Sequence, residues 1–231
     1  IKRRMSKLGE TGEYDIIITE IGGTIGDIES LPFIEAVRQM LHELGKKHAM
    51  CIHVTYVPYI TSAGELKTKP TQHSVKALLE LGIQPDMLVC RSERSLSMEI
   101  RSKIASFCNV EPQAVFSTQD CDTIYEVPLL LHQEKMDLLV LKKMRLPDTK
   151  IELSQWKKFV SKVKNPSQAI EIAISGKYIE YRDAYKSIME AFIHAGAEND
   201  VRVKIRWINS EESESGNIDE MYEGVSGILV P

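Results

Sequence analysis

The chain has 231 residues, 43% of them hydrophobic and 27% charged, and a formal net charge of −4. That is enough sequence for one large domain or two small ones with a sizeable core. No run approaches the roughly 20 apolar residues that a bilayer-spanning helix needs, and the near-neutral charge argues against a dedicated nucleic-acid or membrane-surface binder. The opening Ile1-Lys2-Arg3-Arg4-Met5 has no apolar stretch behind its charges, so no secretory leader is expected. Cys51, Cys90, Cys108 and Cys121 lie far apart, without a CxxC pair or Cys/His ligand spacing. They read as reduced small hydrophobes of a cytoplasmic protein and not as zinc ligands.

In chain order, short β-rich runs alternate with amphipathic stretches, which predicts an α/β fold with a parallel sheet. Residues 16–19, Ile-Ile-Ile-Thr, read as a buried strand ending in a Gly-rich loop. A helix follows over 31–47, with Phe33, Val37, Met40 and Leu41 on one face. Then come a strand over 50–57, a long polar connection over 58–69, and a helix over 71–81 that Gly82 ends. Strand 87–90, helix 98–108, strand 114–117 and a helical stretch over 124–131 complete the block.

Residues 146–168 turn polar, with Pro147 and Pro166 around a helix-like 153–164, and read as a linker. A new βαβ pattern begins after it: strand 170–174, helix 183–196, strand 201–208 and an apolar run at 228–230. The pattern predicts two domains, with 211–216 as a polar loop. The start without Met and the end on a bare apolar run read as a piece of a longer chain.

Four constellations could carry chemistry. Glu20-Ile21-Gly22-Gly23-Thr24-Ile25-Gly26-Asp27-Ile28-Glu29-Ser30 follows a strand end, where open α/β sheets bind ligands. Its glycines can take positive φ and approach a ligand closely, and its three carboxylates could meet a hard cation. Equally, the glycines could simply turn the chain while Asp27 or Glu29 caps the next helix. In the second, Lys67 and Lys69 flank Thr68, and Pro70 opens a helix carrying Thr71, Gln72 and His73. Ammonium groups beside a helix N-terminus suit a triphosphate, and a solvated surface loop would look the same. Third, Arg91, Arg94, Arg101 and Lys103 gather after another strand end, and fourth, Gln119-Asp120-Cys121-Asp122 follows the strand at 114–117. Neither a Walker loop nor a nucleophile elbow is present, and Gly176-Lys177-Tyr178 is a turn signal.

Residues 20–33 and 64–75 together closely resemble CTP synthase, and the likeness runs on through Ile83-Gln84-Pro85-Asp86, Cys90-Arg91-Ser92, Phe107-Cys108-Asn109-Val110 and Asp183-Ala184-Tyr185-Lys186-Ser187. It is weakest over 144–168 and 210–224. The resemblance implies a P-loop-NTPase-like amidoligase (synthetase) domain over 1–146, lacking its N-terminal P-loop part. It further implies a linker over 147–168 and the first βαβ elements of a class I, flavodoxin-like glutaminase over 169–231. The implied reaction is a C–N ligation in pyrimidine biosynthesis: ATP phosphorylates the 4-oxygen of UTP, and ammonia from glutamine displaces the phosphate to give CTP.

The resemblance also implies the site residues. Glu20 matches a Mg²⁺ ligand. Asp27, Ile28 and Glu29 match contacts to CTP, the feedback inhibitor. Lys67, Thr68, Lys69, Pro70, Thr71 and Gln72 match the stretch that holds UTP or CTP, and Lys103 matches a further pyrimidine-nucleotide contact. Gln119, Asp120 and Cys121 match ATP contacts, with Gln119 standing where many of the family carry Lys. GTP is implied as a candidate activator, and a homotetramer with its pyrimidine site at subunit interfaces as the assembly. The P-loop, a second metal-binding aspartate and the glutaminase nucleophile have no counterpart in these residues, so by themselves they are expected not to make CTP. A related P-loop ligase such as dethiobiotin synthetase would be expected to lack the block from Lys67 to Gln72. A non-catalytic nucleotide-sensing or assembly module is the reading from a different class.

Overall fold

The computed structural model describes residues 1–211 and 217–231, so the expected polar loop falls outside it except for Glu211. The chain divides into two compact units: Ile1–Cys121 with Val127–Lys150, and Asp122–Glu126 with Ile151–Pro231. Among the described residues no helix is long and apolar enough to cross a membrane.

Unit 1 is built on a parallel sheet of β1 (Ile52–Tyr56), β4 (Met87–Ser92) and β5 (Val115–Gln119), in the order β1-β4-β5. The middle strand is apolar along most of its length because both faces are covered. Leu88 and Cys90 face a cluster with Val57, Val75, Ile104 and Val115, under helices α3 (Lys69–Glu80) and α4 (Met98–Cys108). Met87 and Val89 face the other side with Ala114 and Phe116. There α5 (Val127–Gln133) and α6 (Met136–Met144) lend Leu131, Met136, Leu139 and Val140. A third cluster, Ile34, Leu78 and Ile83, joins α2 (Leu31–Leu44) to α3. The short α1 (Lys2–Ser6) lies against α2, with Lys2 Nζ donating to Gln39 Oε1 at 3.3 Å.

Several expectations change in unit 1. Residues 16–19 form no strand, and Ile18 is 91% exposed. β-branched content favours extended backbone, but a strand exists only where a neighbour accepts its hydrogen bonds; the sheet ends at β1, which pairs with β4 alone. The connection over 58–69 is not irregular throughout. It contains an antiparallel ribbon of β2 (Tyr59–Ile60) and β3 (Glu65–Leu66), with Tyr59 opposite Leu66 and Ile60 opposite Glu65. The helix expected over 31–47 stops at Leu44, and Gly45 follows with φ +72°. α6 was not expected from the sequence.

Unit 2 has its own parallel sheet, in the order β7-β6-β8, from β6 (Gln168–Gly176), β7 (Val201–Asn209) and β8 (Gly227–Leu229). Ala173 and Ile174 at its centre are fully buried. α8 (Lys186–Asn199) connects β6 to β7, and α7 (Ser154–Lys164) packs against α8 with Val160 buried. A short α9 (Ile218–Tyr222) precedes β8. Tight junctions hold this layer: a Cβ on Gly196 would lie 2.5 Å from the Val201 carbonyl oxygen, and Tyr185 stacks edge-on against Trp207 at 5.3 Å.

Candidate functional site

Because β1, β4 and β5 run parallel, their carboxyl ends share one edge of the sheet. Tyr56 is level with Arg91, Arg91 with Thr118, and Ser92 with Gln119. The β2–β3 ribbon springs from this edge and returns there, since the Lys67 N–H donates to the Pro58 carbonyl at 2.9 Å. α3 then starts against the end of β1. Thr71, fully buried, places its hydroxyl 3.1 Å from both the Tyr56 carbonyl oxygen and Thr55 Oγ1. Pro70 sits in the first turn, where its missing N–H is harmless.

Along 67–72 the side chains divide by environment. Thr68 and Thr71 are buried, and Thr68 Oγ1 accepts from Gln72 Nε2 at 3.0 Å. Lys67, Lys69 and Pro70 are exposed. Lys67 pairs with Glu65, two residues back and therefore on the same side of an extended chain. The Glu65 carboxyl is held below the ordinary carboxylate range, first by the Lys67 hydrogen bond and charge and then by Lys103. Lys103 on α4 thus acts on the same point as Lys67. Glu65 is a residue that sequence reasoning did not single out; its two-residue offset from Lys67 was the available signal.

Gln119 ends β5 at the same edge, followed by Asp120 and Cys121. The Asp120 N–H donates to the Ser92 carbonyl at 3.2 Å, and its Oδ1 accepts from Arg91 Nε at 3.0 Å. The arginines do not form one cluster. Arg91 binds Asp120, Arg94 lies over the Tyr59 ring at 3.5 Å, and Arg101 makes a two-point pair with Glu134.

In the glycine loop, Gly23 and Gly26 take positive φ and Gly22 does not. Asp27 closes the turn: its Oδ2 accepts the Thr24 N–H at 2.9 Å, while its carbonyl accepts the Ser30 N–H and hydroxyl at 3.1 and 2.8 Å. Ile21 and Ile25 pack on the Ile34–Leu78–Ile83 cluster, which fixes the loop to α2 and α3. Glu20, Ile28 and Glu29 are exposed, and Glu20, Asp27 and Glu29 make no ion pair among the described residues. Nor do the described residues gather three or more His, Cys, Asp or Glu side chains in a metal-binding arrangement. A single exposed carboxylate such as that of Glu20 has one or two oxygens to offer a cation, and Mg²⁺ is commonly held by one or two carboxylates together with phosphate oxygens.

A cavity of about 370 Å³ opens elsewhere in unit 1, beside Val115 at the amino end of β5, with Met98, Phe116 and Lys135 in its lining. Arg101 also lines it, the one lining residue that belongs to the four constellations. Burial pushes the Cys51 and Cys108 thiols up to about 11, which suits small core residues and not nucleophiles.

Fold and site together define a parallel α/β protein whose exposed lysines and polar loops collect at the carboxyl edge of its first sheet. The family described as CTP synthase N-terminus matches residues 1–146. The full chain is 58% identical to a CTP synthase of Chloroherpeton thalassium, 57% to one of Chlorobaculum parvum and 53% to one of Flavobacterium johnsoniae. The alignments cover 100% of this chain and 42%, 41% and 43% of those proteins. The chain belongs to the CTP synthase family, and it spans about two fifths of the length of the curated relatives it matches.

Proposed function

We propose that this chain contributes the pyrimidine-nucleotide site and part of the ATP site of an enzyme that aminates UTP to CTP. In this reading ATP phosphorylates the uracil 4-oxygen, and ammonia from glutamine displaces the phosphate. The supporting observation is the shared carboxyl edge of the β1-β4-β5 sheet, which gathers Lys67, Lys69 and Gln72 with Gln119, Asp120 and Cys121. Lys67, Lys69 and Lys103 neutralise the triphosphate of UTP or of CTP, the feedback inhibitor, while Thr68 and Thr71 hold the loop in shape. Asp27, Ile28 and Glu29 border the pyrimidine site. Glu20 supplies one oxygen to a Mg²⁺ that accompanies the ATP phosphates. Such chemistry depends on neutralised phosphates and placed donors more than on a protein nucleophile.

The same reading makes residues 1–146 the later part of the amidoligase domain, 147–168 a linker, and 169–231 the opening of a flavodoxin-like class I glutaminase. It assigns GTP as activator, a homotetramer as the assembly and the cytoplasm as location. These 231 residues alone do not turn over UTP. The test uses the reading frame extended at both ends, supplied with UTP, ATP, Mg²⁺ and ammonium, with CTP followed by chromatography. CTP from wild type and its loss in Lys67→Ala support the reading; no CTP from a well-folded protein overturns it.

A further inference from the structure

Lys67 lies between the β2–β3 ribbon and α3, and the ribbon has only two residue pairs, Tyr59 with Leu66 and Ile60 with Glu65. A two-stranded ribbon is marginal in water unless the rest of the fold holds it. At its tip the Ala63 and Gly64 N–H groups donate to the Ile60 carbonyl at 3.0 and 2.9 Å, which closes the turn but ties the ribbon only to itself. Residues directly opposite each other in such a pair share a face. Tyr59 and Leu66 therefore point one way, while Glu65 and Lys67 point the other. Leu66 packs on the cluster of Val57, Val75, Ile104 and Val115. Tyr59 is covered by Arg94, whose guanidinium carbon lies 3.5 Å from the ring centroid, so the flat group rests on the face of the ring.

Arg94 sits on a fixed stretch of backbone. Its N–H donates to Ser92 Oγ at 3.4 Å, and two residues on, the Leu96 N–H donates to Ser117 Oγ at 3.1 Å. Both serines are buried, one in β4 and one in β5. Among the described residues the Arg94 side chain makes no ion pair, whereas Arg91 is paired with Asp120 and Arg101 with Glu134. The Tyr59 ring is its partner instead.

We propose that Arg94 is a positioning residue for Lys67: by stacking on Tyr59, it pins the ribbon to the end of β4 and so holds the Lys67 ammonium where nucleotide phosphates bind. This rests on the reading of Lys67 as a contact to UTP or CTP. Loss of the stack costs UTP affinity and leaves ATP affinity alone. Residues 119–121 are held separately, by the pairing of β5 with β4 and by Asp120 on Arg91 and Ser92. The bonds to Ser92 and Ser117 use backbone N–H groups, so they survive a change of the Arg94 side chain.

The test measures ammonia-dependent CTP formation by the full-length protein, varying UTP at saturating ATP and then the converse. Arg94→Ala and Tyr59→Leu are each expected to raise the KM for UTP about threefold, the scale of an exposed cation–π contact, with kcat and the KM for ATP within about twofold of wild type. Because both remove the same contact, the double variant is also expected at about threefold and not at about ninefold. Tyr59→Phe keeps the ring and is expected to stay below about twofold. Arg94 is exposed, so its alanine variant serves even if Tyr59→Leu does not fold. An unchanged KM for UTP in Arg94→Ala, equal rises for UTP and ATP, or multiplied effects in the double variant overturn the proposal. A rise in Arg94→Ala with none in Tyr59→Leu also overturns it, since Arg94 would then act on the nucleotide without the ring. Wild-type CTP formation that does not depend on ATP, or no CTP at all, overturns the functional reading itself and the proposal with it.

Discussion

The Thr71 hydroxyl lies 3.1 Å from the Tyr56 carbonyl oxygen, and this hydrogen bond joins the first turn of α3 to the carboxyl end of β1. Thr71 is fully buried, so its replacement by Val leaves that carbonyl without its donor. Thr71→Val is expected to cost about 1–2 kcal/mol of stability by urea unfolding. Thr71→Ser, which keeps the hydroxyl, is expected to lose less than half of that. Equal losses in both variants would assign the effect to packing of the methyl group.

Glu65 sits against Lys67 and within the field of Lys103. If Lys67 binds nucleotide phosphates, it must leave Glu65 to do so. In the full-length protein, Glu65→Gln is then expected to tighten UTP binding about threefold in low salt, the scale of an exposed ion pair. Isothermal titration reads this directly. Weaker binding in Glu65→Gln would mean that the carboxylate orients Lys67 instead of competing for it.

Arg101 and Glu134 form the least exposed ion pair of unit 1 among the described residues, with side chains 17% and 24% exposed. Arg101 also donates to the Leu96 carbonyl at 3.1 Å. The hydrogen bond from Arg101, more than its charge, holds the Glu134 carboxyl below its ordinary range. A carboxyl depressed by folding adds stability above its unfolded value of about 4.3 and loses it as pH falls through the folded value. Wild type should therefore exceed Glu134→Gln by about 1–3 kcal/mol at pH 7. The gap should narrow below about pH 4. Urea unfolding across pH 3–7 checks both; a gap constant with pH would show that the pair's charge is not its source.

Gly196 has no room for a side chain, since a Cβ there would stand 2.5 Å from the Val201 carbonyl oxygen at the junction of α8 and β7. Gly196→Ala is expected to destabilise unit 2 by about 1–3 kcal/mol. Gly22 has nothing within 4 Å of a built Cβ and does not take positive φ, so Gly22→Ala should stay within about 0.5 kcal/mol. Thermal scans of the two variants separate a glycine required by close packing from one that is not.

Legibility differed between the two levels. Apolar runs bounded by turn signals located β4 and β5 within a few residues, because a strand buried on both faces carries its signature in nearly every side chain, and β-branched residues recurring at every second position located β6 and β7. Pro70 and Gly82 marked the start and end of α3 for the local backbone reasons that make them punctuation. Residues 16–19 carried the same β-branched signal and formed no strand, since pairing is a property of the neighbour. The motifs at 20–33 and 64–75 were enough to identify the family from the chain alone.

Local pattern thus located most of the strands and longer helices and marked which stretches carry functional residue types. Only the tertiary structure decided which of those residues share a neighbourhood. It brought the charge of Lys103 to bear on Glu65, sent three arginines to three different partners, and placed Tyr125 among side chains from α7 and α8. Those contacts join residues about 30 to 70 positions apart, and such pairings are settled by packing and hydrogen-bond geometry in the folded chain, which no local window of sequence contains.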